Sequence, residues 1–539
     1  MEAWLHHLLI LPILLPLSTG AFLLFYDERN SQLKSLISLS SAGLLIIISI
    51  LLCMRTLEVA PASDVYRLGN WPSPFGIILV LDRLSALMLL LSSLLIAATF
   101  VFSQTYWCKV GPHFQSLMQF LIVGINGAFL TGDLFNLFVF FEVMLTASYG
   151  LALHGSGQSR VRAGMHYIVI NLFASFLFLT GTALIYGVVG TLNMADLAIK
   201  IKYIASTDII LFEIGAALLS VALLLKVGMW PLNFWLVPTY DAAAAPVSAS
   251  FAILSKVGIY VILRLTLLWF GPESGYFTHF GYTILFYGGL ATLTFGFIGV
   301  LASQALGRLA AYSVLVSSGT LLTAIGTGNI GLTAGALFYI VSSTLALGAF
   351  FLLIELVERN QDVAADVLAV TTEAYNDEEE EEEDEVGTYL PVTLAILGAC
   401  FGICAILIIG LPPLSGFIAK FMMIMAIFNP KEGGSAVYIP GVQDWLFIIF
   451  VIISGFSTLI SMTRAGIRIF WVSLEGKIPH AQVTEFTPIA ALLALCFVIT
   501  IMAGFVSHYM YETAKVLHYP KNYISSVLTD FSLQNMEKN

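Results

Sequence analysis

The sequence predicts an all-α polytopic membrane protein, and three observations predict it. Of 539 residues, 58% are hydrophobic and only 11% charged, with a mean hydropathy of +0.92, whereas soluble chains carry about 45–50% apolar and about 25% charged residues. Apolar segments long enough to cross about 30 Å of hydrocarbon as helices recur from end to end. Stretches such as "AGLLIIISILLC" are apolar on every side, where a transmembrane β-strand would alternate over about ten residues.

Windows of about 19 residues place about fourteen spans near residues 4–25, 34–54, 76–103, 114–132, 134–154, 165–190, 209–230, 243–265, 280–303, 309–327, 332–357, 389–428, 444–471 and 487–508. The first begins "MEAWLHH", with an acid and no Lys or Arg before the apolar run; this is unlike a cleaved leader and reads as a span. The net charge of −11 comes mostly from the acidic run Asp377–Glu385, and the rest of the chain carries −2. Such a run reads as a solvated connection. Short loops holding Arg160 with Arg162, and Arg464 with Arg468, favour the N-terminus outside by the positive-inside rule.

The five cysteines form no CxxC pair, so metal and disulfide roles have no support. A Gly-rich phosphate loop after a strand is missing, as is a basic patch for nucleic acid. No cofactor is expected.

Four charges stand alone in apolar spans: Glu142, Lys226, Lys256 and Lys420. Each costs roughly 2.5–3.5 kcal/mol at mid-membrane, so each must face a partner or water inside the bundle. One acid and one base could form a structural ion pair, but one acid cannot pair three bases. The surplus lysines must be neutral part of the time or meet hydrated cavities, and a row of such groups reads as a proton relay. Asp133 and Asp241 lie near membrane ends and read as caps or interfacial groups, and Asp82 with Arg83 reads as an interfacial pair.

Two of the lysines sit beside helix breakers. Lys226 precedes Gly228 and Pro231, and Lys420 follows Gly410, Pro412 and Pro413. Proline deletes an intrahelical hydrogen bond, so each segment reads as two half-helices meeting inside the membrane. The breaks fall in the seventh and twelfth spans, a spacing expected of two inverted five-helix repeats.

At this point the residues resemble a known family, the antiporter-like subunits shared by respiratory complex I and the multisubunit cation/proton antiporters called Mrp, Pha or Mnh. The stretches that carry the resemblance are "LDRLSALM" at 81–88, "GDLFNLFVFFEVMLTASYGL" at 132–151, "GTLNMADLA" at 190–198, the segment 226–264, "LGRLAAYS" at 306–313 and "GLPPLSGFIAKF" at 410–421. "LFNLFVFFEVML" and "SGFIAKF" are most like the D-subunit branch. The resemblance implies fourteen helices: helices 1–3 over residues 1–110, a first repeat (helices 4–8) over 111–270, a second (helices 9–13) over 271–475 with an acidic loop at 360–388, and helix 14 with a tail over 476–539. It also implies that Glu142, Lys226, Lys256 and Lys420 carry a proton path along the middle of the membrane.

Three departures from complex I relatives stand out. Asn233 in "PLNFWLVPTYD" replaces a histidine-bearing pattern, Ser343 and Gly348 in "VSSTLALGAFF" occupy positions of a His and a Lys, and His166 stands where the sixth helix often has a lysine. His166 is therefore a possible relay member or a packing histidine. The resulting expectation is a proton-translocating, non-enzymatic subunit of a sodium/proton antiporter in the bacterial inner membrane, working with other Mrp/Pha subunits in the lipid bilayer and with protons and Na+ as its ions. The alternatives are a pumping subunit of complex I or of a membrane-bound hydrogenase, and a structural or carbon-uptake scaffold with a vestigial relay.

Overall fold

The computed structural model describes residues 7–26, 31–272, 274–374, 392–428, 440–470 and 482–536. The acidic run Asp377–Glu385 lies outside them.

The described chain is helical almost throughout. In order the helices are α1 (Leu11–Leu24), α2 (Ser31–Val59), α3 (Arg83–Ser103), the short α4 (Trp107–Val110), α5 (Phe114–Leu130), α6 (Leu134–Ala152), α7 (Gln158–Val189), the short α8 (Met194–Lys200), α9 (Ile209–Val227), α10 (Leu236–Ala242), α11 (Ala245–Trp269), α12 (Tyr282–Ala302), α13 (Leu306–Gly326), α14 (Ile330–Ala374), α15 (Val392–Ile409), α16 (Ser415–Phe428), α17 (Val442–Phe470), α18 (Val483–Ile501), α19 (Ala503–His518) and α20 (Lys521–Met536). Twelve are long and apolar enough to span a membrane, and the shorter apolar α1 and α5 bring the total to the expected fourteen. Two of the remaining pieces complete broken spans, α10 after α9 and α16 after α15, and the others among the described residues are the short α4 and α8 and the C-terminal α19 and α20.

One expected boundary moves. The span foreseen from residue 76 begins as helix only at Arg83, because Ile78–Leu81 forms a buried strand, β2, antiparallel to β1 (Asp64–Arg67). A short run of four apolar residues is ambiguous between strand and helix. Asp82 decides the boundary: its carboxylate accepts from Ser85 N at 2.8 Å while Ser85 Oγ accepts from Asp82 N at 2.9 Å, a closed N-terminal cap.

The most enclosed elements are α11 and the apolar part of α14, along which Ser343 and Glu355 are only partly buried. Helices α3, α13, α16, α18 and α19 pack around α14. Lys256 on α11 therefore faces protein on every side and no lipid. By contrast α7 turns Val169, Phe173 and Phe176 outward.

Charged residues collect at the two ends of the bundle. At one end Arg160 Nε donates to Ala242 O (2.8 Å), Arg308 pairs with Asp241 (3.3 Å), and Arg464 Nη2 donates to Ser303 O (2.9 Å). The arginines of the two short loops thus share one membrane end. The expected interfacial role of Asp241 is met by that half-exposed pair.

At the other end Asp82 binds Arg264, correcting the expected pairing with Arg83. Arg264 Nη2 donates to Asp82 Oδ1 at 2.9 Å and Oδ2 at 2.8 Å, Arg264 Nε donates to Tyr260 Oη at 3.0 Å, and the guanidinium lies over the Tyr523 ring at 5.2 Å. Arg83 instead lies 5.8 Å from the Tyr509 ring centroid. A residue that caps a helix points its side chain over the first turn, away from its immediate neighbour. Both members of the Asp82–Arg264 pair are over nine-tenths buried, so losing one leaves a buried unpaired charge. We predict that Asp82→Ala lowers stability by roughly 3–5 kcal/mol, measured by thermal unfolding in detergent, and that adding Arg264→Met recovers part of the loss.

Candidate functional site

The two helix breaks are built alike. Helix α9 ends at Gly228, whose φ of +76° is left-handed, and α15 ends at Gly410, with φ +79°. A side chain at Gly410 would be strained there and would meet Lys420 Cδ at 2.9 Å. Gly416 lets the two halves of the twelfth span touch, since a Cβ on it would lie 2.0 Å from Leu407 O.

Each break frees backbone groups that water would otherwise have to satisfy. In the seventh span, the Trp235 indole donates to Leu225 O (3.1 Å), and Trp230 N donates to Thr292 Oγ1 (2.9 Å). In the twelfth, Lys420 Nζ donates to Ile409 O (2.8 Å), the final carbonyl of α15. The Lys420 ammonium therefore sits at the carbonyl end of a half-helix, where the peptide dipoles favour a cation. Lys226 lies in the last turn of α9. Pro231, Pro412 and Pro413 all lie in the non-helical gaps.

The aromatic face of Phe141 supplies the nearest partner of Lys226. Its Nζ is buried, makes no hydrogen bond among the described residues, and lies 5.0 Å from the Phe141 ring centroid, a cation–π contact. Glu142 follows Phe141 on α6, is half-buried, and has one carboxylate oxygen, Oε1, fully enclosed without a hydrogen-bond partner. Among the described residues Glu142 and Lys226 form no ion pair and share no hydrogen bond. The tight structural pair foreseen as one reading is thus absent among the described residues.

Beside Lys226 lies a cavity of about 20 Å³, lined by Phe141, Tyr167, Asn171, Trp235, Tyr240 and Phe251 among others. It is large enough for a single water molecule. Tyr167 Oη is 2.7 Å from Ser148 Oγ, and Tyr240 Oη donates to Phe251 O at 2.6 Å, so this lining is held by its own hydrogen bonds.

Lys256 is fully buried and donates to Ser317 Oγ at 2.7 Å; Ser317 in turn donates to Ser343 Oγ at 3.2 Å. Ser343 is the residue standing where relatives carry a histidine, so a polar contact persists there without a titratable group. Gly348 packs against Leu95, and a Cβ on it would lie 2.4 Å from Leu95 Cδ1, leaving no room for a longer side chain.

His166 is not brought to the other four. It is exposed, with Nδ1 2.8 Å from Arg162 O, beside the outward-facing Met165 and Val169. Its neighbour Tyr167 is buried and faces the cavity, and one residue of helix turns the side chain by about a quarter turn or more. Asn233 is buried, with Nδ2 unpartnered. Asp133 caps α6, accepting from Phe135 N (2.8 Å) and Asn136 N (3.0 Å), as foreseen. Burial holds its carboxyl above the usual range.

Sequence reasoning missed Phe141, Ser317, and a partly buried carboxylate, Glu355. Glu355 accepts from Trp107 Nε1 at 2.9 and 2.7 Å. The first two offer no charge as a signal, and Glu355 lies close to Arg359 in sequence, which disguises it as an interfacial group. We predict that Tyr240→Phe in the lining costs about 1 kcal/mol, whereas Tyr149→Phe, outside it, is neutral to stabilising because its buried hydroxyl has no partner among the described residues. Paired thermal melts of the two variants check this.

The transmembrane family described as NADH:quinone oxidoreductase/Mrp antiporter matches residues 131–439. The D-subunit of a probable K+/H+ antiporter of Rhizobium meliloti is 56% identical over 534 residues, covering 98% of this chain and 99% of the relative. The D-subunit of a Na+/H+ antiporter of Alkalihalophilus pseudofirmus is 34% identical over 532 residues, covering 98% and 100%. Among solved structures, the Mrp complex from Dietzia contains a chain similar in fold, with a TM-score of 0.81, 24% identity, and coverage of 97% of this chain and 99% of that one. Respiratory complex I from Thermus thermophilus contains another, with a TM-score of 0.71, 19% identity, and coverage of 94% and 99%.

Proposed function

Because the chain belongs to the NADH:quinone oxidoreductase/Mrp antiporter transmembrane family, in its D-subunit branch, we propose that it translocates protons through Glu142, Lys226, Lys256 and Lys420 in a monovalent cation/proton antiporter. The chain is a multi-pass membrane subunit of a cation/proton antiporter. The bacterial inner membrane as its location, the other Mrp/Pha subunits as its partners, and the relay are parts of the proposal.

The observation that carries the relay is the arrangement at Lys226: among the described residues, a buried ammonium on the Phe141 ring with no hydrogen bond, and the carboxylate of the next residue, Glu142, not paired with it. A tight pair would lock both groups in their charged forms. A separated pair leaves each charge sensitive to the other, so a proton arriving at Glu142 weakens the hold on Lys226, and the lysine releases its own proton toward Lys256. Coupling of this kind is reciprocal. Lys420 extends the row into the second repeat.

The exported ion was expected to be Na+. The relative with 56% identity is named for K+ and the one with 34% for Na+, so the proposal covers both ions. The complex I reading has weaker support, since that likeness is one of fold at 19% identity.

The test is cation-dependent dissipation of a proton gradient in everted vesicles from an antiporter-deficient host, with K+ and Na+ supplied separately. The complete gene cluster is compared with the same cluster carrying Glu142→Gln. We expect exchange to fall to background with assembly unchanged; full exchange would make Glu142 a packing residue and remove the relay.

A further inference from the structure

Lys256 is the most enclosed of the four charges, and its hydrogen bond leads away from Glu142. Its Nζ donates to Ser317 Oγ (2.7 Å) on α13, Ser317 donates to Ser343 Oγ (3.2 Å) on α14, and Ser343 donates toward Ile340 O (3.4 Å). The first two donors cross from helix to helix in one direction, α11 to α13 to α14, and Ser343 closes the row on a carbonyl of its own helix. Burial falls along it, from the fully enclosed Lys256 and Ser317 to the half-buried Ser343.

Buried serine and threonine hydroxyls in helices ordinarily donate to the carbonyl three or four residues back. On α13, Ser313, Thr320 and Thr323 do so. Ser317 instead crosses to the next helix. One residue before Ser343, Ser342 Oγ lies 2.8 Å from Ser415 Oγ, the first residue of α16, five positions before Lys420. Cross-helix hydroxyls thus occupy consecutive places between the helix of Lys256 and that of Lys420.

Resting on the relay reading above, we propose that Ser317 and Ser343 form a hydroxyl link that takes a proton from Lys256 into the second half of the subunit. An N–H bond of the Lys256 ammonium breaks as an O–H bond forms on Ser317. The original Ser317 proton moves to Ser343, and the original Ser343 proton leaves Ile340 O as the hydroxyl turns and passes to a water molecule, which becomes the carrier beyond the link. One proton has moved, the amine is neutral, each serine again carries one hydrogen, and no group is oxidised or reduced. Hydroxyl rotation resets the link. Because serine does not titrate in this range, charge rests on Lys256 or beyond the link, never on it.

The experiment uses the complete gene cluster in everted vesicles, with assembly measured by purification of the complex. Ser343 is half-buried, and Ser343→Thr and Ser343→Val form a pair of equal shape that differ in the hydroxyl. We expect Thr to keep exchange and Val to lose it by roughly tenfold or more, which corresponds to about 1.4 kcal/mol of barrier, with Ser317→Ala behaving like Val. Equal behaviour of the Thr and Val variants, whether both active or both inactive, overturns the proposal, because shape and not the hydroxyl would then decide. Lys256→Met, run alongside, separates the two levels. If it is silent the relay reading fails, and if it abolishes exchange while Ser343→Val does not, the hydroxyl link alone fails.

Discussion

A helix that ends inside a membrane leaves carbonyl oxygens with no water to satisfy them, and the rest of this site depends on how those ends are treated. The chain makes two such ends. At one, the Trp235 indole satisfies Leu225 O; at the other, the Lys420 ammonium satisfies Ile409 O. Each freed carbonyl end offers a partial negative charge of about half an electron; the Lys420 ammonium bonds one of them, and Lys226 stands in the last turn before the other. The breaks therefore do two things together: they interrupt the backbone, and they create a place where a cation is tolerable far from solvent. A continuous helix would hold neither lysine on such terms.

The same economy explains the surroundings of Lys226. An ammonium on an aromatic face gains roughly 0.5–2 kcal/mol, less than a close carboxylate would give in a buried site. The weaker contact leaves the ammonium responsive to Glu142, which the proposed relay requires. Fixed aromatic and hydroxyl groups around it, Tyr167, Tyr240 and Trp235, keep the adjoining cavity to the volume of one water molecule, so protons can be passed without opening a path for bulk solvent. Farther along α11, the buried Asp82–Arg264 pair is a charge cluster of the opposite kind, tightly bonded and suited to anchoring.

Much of this was legible in the sequence. Hydrophobic segments fixed the spans because the bilayer demands their length, and lone charges within them stood out because each is costly there. Gly228, Gly410 and the prolines announced the breaks through backbone geometry that does not depend on neighbours. What could not be read depends on which helices meet. Arg264 is far from Asp82 in sequence and looks like an end charge; only packing brings them together. His166 looked equivalent to the inward groups until the helix phase turned it outward, with Tyr167 taking the inner position. Ser317 carries no charge and so left no trace, and Ser343 stood out only as the loss of a histidine, although their places between charged helices give them a polar contact that any hydrophobic residue would lack.

The central claim is that Glu142 changes protonation while buried and that Lys226 feels the change. Infrared difference spectroscopy of the assembled complex across a pH titration tests it most directly, with the carboxyl band of Glu142 identified by its loss in Glu142→Gln. The account predicts a protonated-carboxyl band with a defined midpoint that moves when Lys226 is replaced by Met. A midpoint unchanged by that replacement, or no Glu142 band at any pH, would contradict it.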